Sequence, residues 1–114
     1  MRLALWRWAL GLCMLAILVL SLAPPSSSLP TTGWDKSNHL LGFAVLAFFS
    51  HWAWPARTAV ALAALLAYGG LIEVLQSFTP YRYADFVDLF ADGVGLLLGE
   101  LVARLATYRT PARR

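Results

Sequence analysis

Residues 84–99 read ADFVDLFADGVGLLLG, and this stretch decides the fold. Asp85, Asp88 and Asp92 step by three and four residues. On an α-helix that spacing puts all three carboxylates on one stripe. Gly95 and Gly99 prolong the stripe at GxxxG spacing. In lipid, small residues at that spacing let two helix backbones approach closely. Every other position in the stretch is apolar, so no face is left for water. The pattern is that of a helix with its carboxylates and glycines against other helices and its remaining surface in lipid.

Working outward, three more apolar runs have helical length. The first covers about 3–23, the second 34–54 and the third 58–78, and the quoted stretch opens a fourth over 84–106. About 20 apolar residues cross a bilayer. Pro55, Pro80 and Pro111 stand just past the second, third and fourth runs, where a helix must stop. PPSSSLPTTG, 24–33, is a loop of prolines and hydroxyls. The linker Pro55-Ala56-Arg57 is so short that runs two and three must be antiparallel neighbours. The first run resembles a signal peptide in having Arg2 and Arg7 ahead of an apolar core. Pro24 and Pro25 directly follow the small residues Ser21-Leu22-Ala23, which disfavours cleavage there, so the run is expected to be retained as a span.

Composition agrees. Of 114 residues, 60% are hydrophobic and only 13% are Asp, Glu, Lys or Arg. A water-soluble domain carries about a quarter charged residues. Mean hydropathy is +0.66. The net charge of +3 does not indicate nucleic acid, because the cations sit at the ends of apolar runs and form no patch. The single cysteine, Cys13, lies among apolar residues and reads as a small packing residue. The expected fold is an all-α, four-helix transmembrane bundle of up-down topology, one domain over residues 1–114.

Cations fix the expected orientation, since cytoplasmic loops carry the excess of Lys and Arg. With both termini cytoplasmic, Arg2, Arg7, Arg57, Arg104, Arg109, Arg113 and Arg114 lie inside, against Lys36 and Arg82 outside. Trp6, Trp8, Trp52 and Trp54 then fall at the inner interface and Trp34, Tyr81 and Tyr83 at the outer one, the headgroup levels that such rings prefer.

This topology gathers most of the polar residues at the outer ends of runs two, three and four. Asp35, Lys36 and His39 share a face of run two, Glu73 and Gln76 a face of run three, and Asp85, Asp88 and Asp92 the stripe of run four. Arg82 stands in the short aromatic connection before them. A charge at the centre of a span costs roughly 2.5–3.5 kcal/mol on insertion scales. Such a grouping therefore implies that the side chains face one another or a wet cavity. Gly69 and Gly70, one turn before Glu73, are expected to pack against another helix. His51, at the inner end of run two, has no evident company and reads as an interfacial residue, and Glu100 is expected to pair with Arg104 four residues on.

The set has an ordered resemblance. Asp35-Lys36-Ser37-Asn38-His39, then Glu73-Val74-Leu75-Gln76-Ser77-Phe78, then Arg82 through Asp85 and Asp88 to Gly95 resemble the VanZ-like family, small bacterial membrane proteins named after a teicoplanin-resistance protein. The resemblance runs from Trp34 to Gly99. One departure is Asp92, where the family usually has Asn. Membership implies a multi-pass protein of the cell inner (cytoplasmic) membrane, linked to the envelope or to glycopeptide resistance. It supplies no established reaction.

Three functions are open on the sequence. The first is a site that binds or acts on an envelope precursor or lipid head group at the outer face. There His39, Asp85, Asp88 and Glu73 would be the catalytic acid–base and orienting groups, and Asp35, Lys36, Gln76, Arg82 and Asp92 the substrate-binding ones. Histidine suits proton transfer near neutral pH. The second is a structural or partner-binding role, with an envelope protein or a homodimer as partner. The third is transport of protons or ions. No cofactor is expected. His39, Glu73, Asp85 and Asp88 offer metal-ligand atoms, but no local spacing demands a metal and none is expected. No phosphate-cradling glycine loop and no serine or cysteine nucleophile constellation is present.

Overall fold

A computed structural model describes residues 2–24, 35–80 and 84–109. Among these residues the chain forms four helices and no strand: α1 (Arg2–Leu22), α2 (Asp35–Ala53), α3 (Thr58–Gln76) and α4 (Phe86–Arg109). The expected loop over 24–33 lies, beyond Pro24, outside the described residues, as do Trp34, Tyr81, Arg82 and Tyr83.

The sequence breaks set the helix ends. α2 stops two residues before Pro55, and Arg57 N–H closes the turn onto Trp54 O at 3.1 Å. α3 ends at Gln76, two residues earlier than the apolar run suggested. Its last carbonyls are taken by Ser77 and Thr79: Ser77 Oγ donates to Val74 O at 2.5 Å and Thr79 Oγ1 to Gln76 O at 2.8 Å. Such hydroxyl bonds offer the backbone an alternative to continuing the helix. α4 begins at Phe86, so Asp85 is not on the helical stripe as expected. It stands ahead of the helix, where its Oδ1 accepts the Val87 N–H at 2.9 Å, the part an Asp plays at a helix start.

The ends alternate, as an up-down bundle requires. Gln76 Nε2 donates to Ser21 O at 2.9 Å, joining the end of α3 to the end of α1. At the opposite pole Arg7 Nε donates to Ala53 O at 3.1 Å and its guanidinium lies 3.6 Å from the centroid of Trp54, joining the start of α1 to the end of α2. Between them Tyr68 Oη donates to Met14 O at 2.6 Å, and at the Arg7 pole Trp6 stacks on Trp52 with centroids 5.9 Å apart.

α2 and α3 are antiparallel and touch, but the most extensive contact is the parallel pair α2 and α4. Two glycines explain this. A Cβ on Gly95 would collide with the backbone of Leu40, and one on Gly99 with the backbone of Ala44. The two helices therefore meet backbone to backbone, in the register 40/95 and 44/99. One turn further on, Ala103 is fully buried in the same seam. Gly69 also sits at a contact, whereas Gly70 meets nothing within 4 Å and is not a packing glycine.

Beside an apolar core of Leu10, Phe43, Leu46, Leu65, Ile72 and Leu96, the bundle buries polar residues and exposes large apolar ones. His39, Ser50, Glu73, Gln76, Asp88, Asp92 and Glu100 are buried, while Leu5, Trp8, Leu12, Val60, Val74, Phe86, Phe90 and Leu97 are exposed. α1 and α3 are each long and apolar enough to cross a membrane. α2 and α4 are more polar, and between them bury His39, Ser50, Asp88, Asp92 and Glu100.

Candidate functional site

The polar end of the bundle brings together residues from α2, α3 and the start of α4. His39 is at its centre. Its Nδ1 is hydrogen-bonded with Asp92 Oδ1 at 2.8 Å, and both side chains are buried, Asp92 completely. That bond fixes the ring so that Nε2 faces the other way, 3.6 Å from Asp88 Oδ2 and 4.0 Å from Glu73 Oε1. Three carboxylates from two helices thus surround one imidazole.

Lys36, one turn before His39 on α2, reaches over the same cluster. Its ammonium lies 2.6 Å from Asp88 Oδ1 and 2.8 Å from Asp85 Oδ2. The ammonium beside Asp85, helped by the Val87 N–H, holds the Asp85 carboxyl below the ordinary carboxylate range. Lys36, expected among the substrate-binding residues, here meets two carboxylates.

Glu73 ties α3 to this group. Its Oε2 accepts the Asp85 N–H at 2.8 Å, while its buried Oε1 accepts no hydrogen bond among the described residues. Gln76, one turn on, spends its amide on α1. Gly69 is part of the site's construction: a Cβ there would lie 2.5 Å from Asp92 Oδ2 and 3.2 Å from the Phe43 ring. Its missing side chain is the space that Asp92 occupies.

The structure thus brings together His39, Glu73, Asp85, Asp88, Asp92 and Lys36, with Gln76 at the margin. Arg82 and the side chain of Asp35 lie outside the described residues. Ligand atoms of His39, Glu73 and Asp88 all lie within 4.8 Å of one another, a separation that one metal ion can bridge. Chemically, the cluster can exchange a proton through His39 or hold a cation between its carboxylates.

The reading of His51 as an interfacial residue without company is corrected. His51 Nδ1–H donates to Glu100 Oε2 at 2.9 Å, and the ring meets Trp52 edge-on at 4.9 Å. Glu100 Oε2 also accepts from Arg104 Nε at 2.7 Å, the expected i,i+4 pair. A second polar cluster therefore lies at the other end of the α2–α4 seam. Its signal in the sequence was the small-residue stripe itself: Gly95, Gly99 and Ala103 continue to Thr107, which stands 3.4 Å from His51 Nε2.

No curated protein and no solved structure matches the chain at a significant level. A family model described as VanZ/LLP1 matches residues 8–107, from the second turn of α1 to the last turn of α4 and across every candidate site residue, and the chain belongs to that family.

Proposed function

We propose that the chain is a multi-pass protein of the bacterial cytoplasmic membrane, with both termini cytoplasmic, whose outer-face cluster binds or acts on an envelope precursor or lipid head group. The observation that carries this is the convergence of His39, Glu73, Asp88 and Asp92 at one pole of a bundle whose flanks are apolar. Exposed apolar surface as extensive as that of α4 marks contact with lipid or another apolar partner. The helices, at about 28–36 Å for 19–24 residues, match a hydrocarbon core of about 30 Å.

In this reading His39 is the proton-transfer group. Asp92 sets its tautomer and orientation, and Glu73, Asp85 and Asp88 arrange and balance its charge. An open groove lined by Leu62, Leu66, Phe86, Phe90, Val94 and Leu97 runs between α3 and α4. It leads from the level of Asp88 towards mid-bundle, a course that suits the acyl tail of a lipid whose head lies at the cluster. A one-sided site is favoured over transport because Phe43, Leu46, Ala47 and Leu96 are buried between the two polar clusters.

The test is glycopeptide susceptibility of cells carrying His39→Ala or Asp88→Asn at normal protein level. Loss of the teicoplanin phenotype supports a working site, and retention in both variants removes it. Cysteines placed at Ser27 and Arg57 test the topology: only the first should react with an impermeant reagent added outside.

A structural role is the second reading. The Lys36–Asp88 and Glu73–Asp85 contacts each join two segments of the bundle. Under that reading the same variants would lower protein yield rather than resistance per molecule.

A further inference from the structure

We propose that His39, Glu73 and Asp88 form a binding site for one divalent transition-metal ion of the Zn²⁺ or Mn²⁺ type. The ligands come from three helices, which is why no short motif announces them. His39 Nε2 stands 3.6 Å from Asp88 Oδ2 and 4.0 Å from Glu73 Oε1. Ligands bound at about 2.0–2.2 Å in tetrahedral geometry lie roughly 3.4 Å apart. His39 Nε2 therefore needs to close by about 0.2 Å on Asp88 and about 0.6 Å on Glu73, and the two carboxylate oxygens, which lie within 4.8 Å of each other, by up to about 1.4 Å, a shift within reach of side-chain rotation.

Two independent observations point to a cation. The first is Glu73 Oε1, a buried carboxylate oxygen aimed into the space between the donors, with no hydrogen bond among the described residues. A buried acceptor left unmade costs about 1–3 kcal/mol, more when charged, and an ion is one of the few occupants that relieves it. The second is the support of His39. Its other nitrogen is bonded to the fully buried Asp92 at 2.8 Å. Metal-binding histidines are held by a carboxylate in this manner, which turns the lone pair of the second nitrogen towards the ion.

One imidazole with two carboxylates is a donor set for transition ions rather than for Mg²⁺ or Ca²⁺, which take oxygen ligands. Lys36 occupies Asp88 Oδ1, so Asp88 would bind through Oδ2 alone, leaving room for a fourth ligand such as water or a phosphate oxygen. The site rests on its own donors and stands whether or not the proposed envelope substrate is correct; with the ion bound, His39 serves as its ligand and not as the proton-transfer group.

The full chain, purified in detergent and stripped with chelator, is dialysed against micromolar Zn²⁺ or Mn²⁺ and its metal measured by mass spectrometry. The expected result is about one equivalent of either ion bound by the wild type. Glu73→Gln, close to isosteric, and His39→Ala should lose it while the protein elutes as one helical species. Asp92→Asn should weaken apparent affinity by about 10–100-fold, the usual effect of losing an outer-shell partner. Glu100→Gln, at the opposite pole, should bind as the wild type does. Wild-type protein that retains no ion, or His39→Ala and Glu73→Gln proteins that retain as much as the wild type, would overturn the proposal. Resistance assays play no part in this readout.

Discussion

Gly99→Ala should damage the polar site without touching it. The Cβ added at Gly99 would press on the backbone of Ala44, and that added at Gly95 on the backbone of Leu40, atoms that no rotamer change can move. Restoring ordinary van der Waals contact needs the α2 backbone to retreat by more than an ångström. Overpacking of this kind costs about 1–3 kcal/mol. The same retreat acts on the bond between α2 and α4 at the site. His39 Nδ1 and Asp92 Oδ1 are 2.8 Å apart, so an ångström of opening takes the pair beyond hydrogen-bonding distance. Reversible unfolding in mixed detergent micelles measures the first effect, and metal retention the second. Gly70→Ala is the matched control, because a Cβ there meets nothing within 4 Å. It should be neutral, or stabilising by a few tenths of a kcal/mol through reduced backbone freedom. Equal stability of Gly99→Ala and Gly70→Ala would refute the claim that the glycine stripe sets the α2–α4 distance.

Other outcomes follow from the same geometry. Gly69→Ala should displace Asp92 Oδ2, lowering metal retention more than Gly70→Ala does, as read by the same mass measurement. Gln76→Ala removes the bond to Ser21 O and should loosen the end of α1, at a cost of about 0.5–1.5 kcal/mol, detected as faster proteolysis near residue 22. Glu100→Ala strips His51 and Arg104 of their shared acceptor. It should cost about 1.5–3 kcal/mol in micelle unfolding, the value of hydrogen bonds to a charged group, and should leave metal binding intact.

The helices and the polar face are largely legible in the sequence, because long apolar segments leave few choices. Prolines mark where a backbone cannot continue, and a carboxylate in an apolar segment must find a partner. Asp88 and Asp92 thus read as lying on an inward face. The same three-and-four spacing puts Asp85 on that face. The helix in fact starts one residue later, and Asp85 serves it from outside by accepting the Val87 N–H. Periodicity cannot distinguish a residue within the first turn from one that caps it, since both lie on the same line.

What spacing could not supply was register between helices. His51 and Glu100 are 49 positions apart and looked unrelated, yet they are bonded at 2.9 Å. The information lay in the glycines. Once Gly95 is set on Leu40 and Gly99 on Ala44, the parallel register of α2 and α4 carries Ala103 and Thr107 along the same seam towards His51. The same register brings Asp92 to His39 at the other pole. The stripe that reads as simple packing therefore also positions both polar clusters. Since each of its glycines is needed at backbone contact, the precision of the His39 site depends on residues three to seven positions away that carry no chemistry at all. A small-to-larger change in the stripe should accordingly lower site occupancy even where the protein stays folded, and a variant that repacks the seam with no loss at His39 would show that the cluster holds its own geometry.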